Sequence, residues 1–307
     1  MPSSCHESNP SVKSRLVSAK IFPPHLDVAQ MDTKNKENEQ PEAFVLNVIP
    51  PRRIAHLVEE VGVAKVGLPT ISILTLAVLA GAFIAFGAMF YTVVITGSEL
   101  GFGPTKLLGG VAFSVGLILV IIGGAELFTG NSLIVLALAQ RKISLAALLK
   151  NWALVYVGNF AGALGMVLLV HFSGVLDVGG GAVAETARII AESKVLISPF
   201  EAFLRGVLCN ILVCLAIWMC FAAYTVVGKI LVMIFPISAF VALGFEHSVA
   251  NMYVIPLGAM QPGSDIGLSD FFTNLVPVSI GNIVGGGALV GMVYWLVYLR
   301  SDASENC

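Results

Sequence analysis

The chain has 307 residues, 57% of them hydrophobic and 12% charged, with a formal net charge of −2. A soluble domain carries about 25% charged residues, so half the usual surface charge is missing, and mean hydropathy reaches +0.89. This composition excludes a soluble enzyme, and without a basic stripe carrying interleaved aromatics it excludes a nucleic-acid binder.

Residues 1–50 are rich in Ser, Asn, Lys, Glu and Pro. The stretch MDTKNKENEQPE, Met31 to Glu42, reads as a solvated, disordered tail. It has no apolar h-region, so it is not read as a signal peptide. From Pro51 the pattern changes. Residues 51–68 place Ile54, Leu57, Val58 and Val61 on one helical face, which predicts an amphipathic helix at the membrane interface.

Six apolar segments follow, at about 69–96, 107–139, 149–172, 200–226, 230–257 and 272–299. Each is long enough to cross the roughly 30 Å of hydrocarbon, so residues 69–300 read as one six-span domain in a lipid bilayer. Thirteen Lys and Arg fall on the side of the two termini and four, Lys106, Arg188, Lys194 and Arg205, on the other. The excess marks both termini, including residues 301–307, as cytoplasmic. Cys5, Cys209, Cys214, Cys220 and Cys307 have neither metal-site spacing nor a disulfide framework, and read as small apolar residues.

Two spans are irregular. The second contains GGAELFTGN and the fifth GFEHSVANM, each placing Gly, a carboxylate and Asn where the bilayer is driest. They align as G-x-E-x4-N: Gly124, Glu126 and Asn131 against Gly244, Glu246 and Asn251, 120 residues apart. A second pattern, N-x6-G-N-x2-G, aligns Asn151, Gly158, Asn159 and Gly162 with Asn274, Gly281, Asn282 and Gly285, 123 residues apart. The chain is therefore a duplicated three-span unit, with repeats at about 69–172 and 200–299. Because three is odd, the second copy enters from the opposite side, the inverted-repeat plan of transporters and pores. Irregular backbone survives at membrane depth only where it is protein-buried or lines a polar cavity. The two breaks, Glu126 to Asn131 and Glu246 to Asn251, thus mark the pathway.

GGAELFTGN, GNFAGAL, RGVLCNILVCLAIWM, FEHSVANMY and NLVPVSIGNIVGG, together with the span order, resemble the formate–nitrite transporter family over about residues 50–300, and most of all its formate-channel branch. The resemblance implies an all-α integral membrane fold: an aquaporin-like six-helix protomer with inverted three-helix repeats and broken second and fifth helices. It also implies a homo-pentamer with one pore per subunit, no cofactor, and passage of formate or a similar small anion across a bacterial inner membrane. Nitrite and hydrosulfide are the substrates of sister branches. Two features depart from the family: the polar tail is long, and the connection Gly258 to Ser269 is short and lacks basic residues.

His247 is the one histidine in a span core. A lone buried histidine is ordinarily structural, but an ionisable group inside a membrane is functional by default. The family's matching histidine is the central pore residue; the copy in the first repeat is Leu127. Thr129 matches a threonine of a mobile loop near that histidine, and Asn210 matches a pore-lining asparagine, although Asn in a span commonly bridges helices. Phe113 and Leu117 stand i, i+4, and Phe240 shares the face of His247. The resemblance sorts these apolar residues into two constrictions, Leu117, Leu127 and Phe128 on one side and Phe113, Val213 and Phe240 on the other. Lys194 matches a vestibule lysine that would concentrate anions. Glu126 and Glu246 read as structural, bonded to unwound backbone N–H groups, because a free carboxylate in the pore would repel an anion. Asn131, Asn251, Asn159 and Asn282 read as their supports.

The expected mechanism follows from desolvation. An isolated charge cannot enter an apolar ring without a cost of many kcal/mol. Half-helix N-termini favour the anion, and the histidine either donates a hydrogen bond to it or hands it a proton. Two rival readings remain from sequence: a neutral-solute pore, which the missing NPA pair disfavours, and a membrane-embedded enzyme using Glu126, Glu246 and His247 around a metal, which the duplication makes unnecessary.

Overall fold

The computed structural model describes residues 48–301, and among these there is no strand. The polar tail up to residue 47 and the end beyond residue 301 lie outside the described residues. Helix α1 (Pro51–Val66) leads into α2 (Thr70–Ile95) and α3 (Phe102–Gly123). A 3₁₀ turn (Gly130–Ile134) and α4 (Val135–Ala139) complete the second span, and α5 (Leu145–Phe172) is the third. The second half runs through α6 (Ala182–Val195), α7 (Pro199–Ala222), α8 (Val226–Ala242), α9 (Ser248–Ala259), α10 (Leu268–Ile283), a π-helical stretch (Val284–Met292) and α11 (Val293–Tyr298).

Among the described residues five helices are long and apolar enough to cross a membrane by themselves; the last is the continuous run Leu268–Tyr298. The fifth span is split into α8 and α9, 17 and 12 residues long, and crosses only as the pair. The result is a multi-pass membrane protein with six crossings, the second and fifth interrupted. The spans sit within a few residues of where the hydrophobic pattern puts them.

The duplication is visible in the packing. Helix α2 packs on α3 and α5, α7 packs on α8 and α10, and α3 meets α8 across the repeat boundary. Tyr156 and Ser279, repeat mates by position, hydrogen-bond to each other at 2.8 Å. Mates that touch lie on the pseudo-twofold axis.

The N-x6-G-N-x2-G pattern has a steric cause. A Cβ on Gly162 would stand 2.0 Å from the Val78 carbonyl oxygen, and one on Gly285 would stand 2.1 Å from that of Val207. Only glycine lets α5 ride on α2, and the π-helical continuation of α10 on α7, at that spacing.

Helix α1 does more than lie at the interface. Its buried face includes Glu59 beside Ile54, Ala55 and Val58, and the Glu59 carboxylate is ion-paired to Lys142 of the turn before α5. The connection between the third and fourth spans also contains a helix that periodicity did not single out, α6. It stands before α7 as α1 stands before α2, so the repeat includes one short helix more than the apolar pattern reveals.

Candidate functional site

Each break begins the same way. Gly124 and Gly244 take left-handed backbone angles, φ +73° and +70°, which end α3 and α8. The chain then runs extended before the next helical turn, leaving N–H and C=O groups that a bilayer cannot satisfy. One asparagine per repeat satisfies them. Asn159 accepts from the Phe128 N–H at 2.9 Å and donates to the carbonyls of Ala77 and Glu126 at 2.8 and 2.9 Å. Asn282 repeats this, accepting from the Ser248 N–H at 2.9 Å and donating to Gly206 and Glu246 at 2.8 and 3.0 Å.

The glutamates are held by a second duplicated set. Asn131 donates to Glu126 at 2.7 Å and to the Asn151 side-chain oxygen at 3.0 Å. Asn251 donates to Glu246 at 2.6 Å and to Asn274 at 2.7 Å. The other carboxylate oxygen meets a lysine: Lys65 Nζ lies 2.7 Å from Glu126 and Lys194 Nζ lies 2.9 Å from Glu246. Both carboxylates are thus engaged by amide and ammonium side chains, where backbone N–H groups were expected. A buried carboxylate needs a counter-charge or a proton, and each repeat supplies the charge from the short helix preceding it.

Lys65 was counted in the sequence only as a topogenic charge. The signal that could have found its role is modest: Lys65-Val66 and Lys194-Val195 each close a short helix a few residues before a span-opening proline, Pro69 and Pro199. Lys194 itself is not a free vestibule cation, since its side chain is 16% exposed and bound to a 3% exposed carboxylate. Replacing Lys194 with alanine should reduce transport and lower the melting temperature by the same amount at low and high salt. It strands Glu246 at a cost of about 3 kcal/mol, whereas a freely screened vestibule charge would lose its effect as salt rises. Fluxes and melts at two ionic strengths separate the two.

The repeats diverge where their breaks meet. Thr129 Oγ1 lies 2.9 Å from His247 Nε2, and both residues are almost fully buried. The Ala250 N–H donates to His247 Nδ1 at 3.1 Å, so the imidazole N-caps α9. An N–H aimed at Nδ1 leaves no room for a proton there. The ring is thus the neutral tautomer with its hydrogen on Nε2, donating to Thr129. Asn210 bridges the halves rather than pointing a free amide into the path: its Nδ2 reaches the carbonyls of Thr129 (3.2 Å) and Asn282 (2.6 Å) and the Ser132 hydroxyl (3.2 Å). Its Oδ1 is buried without a partner.

Aromatic rings close both flanks. Phe240 stacks on His247 with centroids 6.0 Å apart and is met edge-on by Phe113 at 5.5 Å. Phe128 packs edge-on against Tyr156 at 4.8 Å and Trp152 at 6.4 Å. Leu117, Leu127 and Val213 are each at most 2% exposed. The structure gathers Phe113, Phe240 and His247 into one aromatic cluster and seats Phe128 apart from it against α5.

The comparisons with known proteins agree with this architecture. A family model described as formate/nitrite transporter matches residues 52–296. The formate channel FocA of Escherichia coli (strain K12) is 41% identical over 271 residues, covering 82% of this chain and 95% of that one. A probable formate transporter of Methanothermobacter thermautotrophicus is 42% identical over 265 residues, covering 80% and 93%. Among solved structures, a pentameric formate channel with formate bound is similar with a TM-score of 0.70 and 42% identity over 75% of this chain and 98% of that one. An ion channel of the FNT family gives a TM-score of 0.74 at 28% identity, covering 80% and 98%.

Proposed function

Because the chain belongs to the formate/nitrite transporter family, we propose that it carries formate across the cytoplasmic membrane as a homo-pentamer, passing each anion between the two breaks of one protomer. The observation that carries this reading is the Thr129–His247 contact: the one imidazole seated in a span break among the described residues hydrogen-bonds across the repeat interface, between two aromatic flanks. Names of similar proteins favour formate over nitrite. The excess of Lys and Arg beside the termini supports a cytoplasmic location for both.

Permeation requires side chains to move. His247, Thr129, Asn210 and the six apolar residues around them are all at most 6% exposed, so they fill the path they line. A carboxylate entering this region loses its water, and no lysine or arginine replaces it there, because Lys65 and Lys194 are engaged with Glu126 and Glu246. The Nε2–H of His247 is the donor that can compensate, once Thr129 releases it. With both glutamates engaged by lysine and the similar proteins named as channels and transporters, the chain is read as a transporter and not as an enzyme.

Reconstituted protein should carry formate into liposomes, faster than nitrite or hydrosulfide, and faster again when a pH gradient favours the weak acid. Native mass spectrometry in mild detergent should show five copies. A chain that passes nitrite but not formate, or that stays monomeric, would overturn the corresponding part of this reading.

A further inference from the structure

Both breaks are braced by the same main-chain contact, and one of the two braces carries an added side-chain clamp. In the first repeat the main-chain oxygen of Leu76 accepts from the Glu126 N–H at 3.2 Å. In the second repeat Arg205, 129 residues later, does the same for Glu246 at 3.3 Å. Arg205 then adds what leucine cannot. Its Nη1 donates to the Gly244 carbonyl at 3.1 Å while Nη2 holds Glu201, one turn earlier on α7, at 2.5 Å. Among the described residues no side chain donates to the Gly124 carbonyl.

This brace lies where it bears on the histidine. Gly244 is the left-handed residue that ends α8, and its carbonyl sits at the negative end of that helix dipole, where a guanidinium is favoured. Arg205 thereby grips the turn on both sides of Phe245, at the Gly244 C=O and the Glu246 N–H, and the next residue is His247. The imidazole has three geometric obligations: the Ala250 N–H, the Thr129 hydroxyl and the Phe240 ring. Meeting all three fixes its height to within a fraction of an ångström. The turn leading into it must therefore be stiff, and only this break carries the extra clamp.

We propose that Arg205 is a positioning residue for His247. It pins the Gly244–Glu246 turn so that the imidazole keeps its single tautomer and its reach to Thr129. The fork geometry of guanidinium suits this, because one rigid group serves a carboxylate and a carbonyl together. The first break carries no titrating ring, and leucine suffices at its mate, Leu76.

The inference rests on the reading of His247 as the pathway residue, and the test separates the two claims. Arg205→Leu, the residue its mate carries, is compared with the parent in two measurements: formate flux in proteoliposomes as a function of pH and salt, and ¹⁵N spectra of labelled histidine, with His247 assigned by its loss in His247→Asn. The Leu variant should assemble and lose roughly three- to tenfold in flux, the effect of losing one ordinary hydrogen bond, equally at low and high salt. Its pH profile should shift, and the His247 ¹⁵N signals should move from one tautomer towards a mixture. Arg205→Lys keeps the charge but not the fork and should fall between. Parent-like ¹⁵N signals and pH profile in the Leu variant overturn the proposal. So does a flux loss that disappears in high salt, which would make Arg205 a steering charge. If the Leu variant fails to assemble, the Lys variant decides by the same ¹⁵N criterion. A parent that carries no formate sinks the transport reading, and the ¹⁵N spectra still judge Arg205.

Discussion

Replacing His247 with phenylalanine is expected to abolish formate flux while leaving an assembled, membrane-inserted protein. The ring would still fill the space and stack near Phe240, so packing loses little. What disappears is the N-cap of α9, worth about 1 kcal/mol, and the Nε2–H that meets Thr129 at 2.9 Å. Asparagine at the same position is the more discriminating variant. Its carbonyl is among the best N-caps, so α9 should keep its first turn, and its amide is still a donor, but it takes up no proton. Protonation of the imidazole would place an N–H at Nδ1, facing the Ala250 N–H, and would break the cap. Charge on the ring is thus coupled to the first turn of α9. If transport uses that protonation, His247→Asn conducts with an altered pH dependence; if only the hydrogen bond matters, it conducts with a nearly normal one. Formate flux across pH 5 to 8, which spans the ordinary imidazole range of about 6.5, reads the difference. A phenylalanine variant that carries formate like the parent would make the histidine scaffolding and remove the centre of this account.

The features legible in the sequence are those the bilayer imposes. Continuous apolar runs give spans, because a helix satisfies its own backbone and little else can be placed in hydrocarbon. Breaks in those runs stand out for the same reason, and their repetition at offsets of 120 and 123 residues exposed the duplication before any coordinate and made the two breaks the candidate pathway. Side-chain partners were less legible. Charge alone argued that Glu126 and Glu246 need partners, but the lysines that neutralise them sit 61 and 52 residues upstream, in short helices whose hydrophobic pattern is weak. Asn210 shows the other limit. Its type and depth in α7 fit a pore-lining amide and a helix-bridging one equally, and only coordinates show its Nδ2 divided among three acceptors of the first break and α10. Arg205 was read as one of four charges on the outer side, and nothing in its surroundings in the sequence points 39 residues ahead to Gly244.

The largest structural effect should come from the smallest change, one methyl group at Gly162 or Gly285. A Cβ at either position would overlap a backbone carbonyl oxygen at 2.0 or 2.1 Å, well inside van der Waals contact, and the obstacle is main chain that has no alternative rotamer. Helix α5 would have to move off α2, or the π-helical continuation of α10 off α7, by about an ångström. Overpacking costs about 1–3 kcal/mol where side chains can adapt; here they cannot, so Gly162→Ala and Gly285→Ala should each exceed that range. The displacement would also reach the pathway. Asn159 and Asn282 lie one turn from these glycines and hold the breaks through hydrogen bonds of 2.8–3.0 Å that extend back to Ala77 on α2 and Gly206 on α7. Separating the helices pulls each asparagine away from one of the two elements it joins. Gly165→Ala is the internal control, on the same helix as Gly162 with nothing within 4 Å of its added Cβ. Thermal melting and size-exclusion profiles in mild detergent should show Gly165→Ala like the parent and both close-approach variants destabilised or unassembled. If either of those two melts with the parent and remains assembled, the close approach is not what holds the repeats in register.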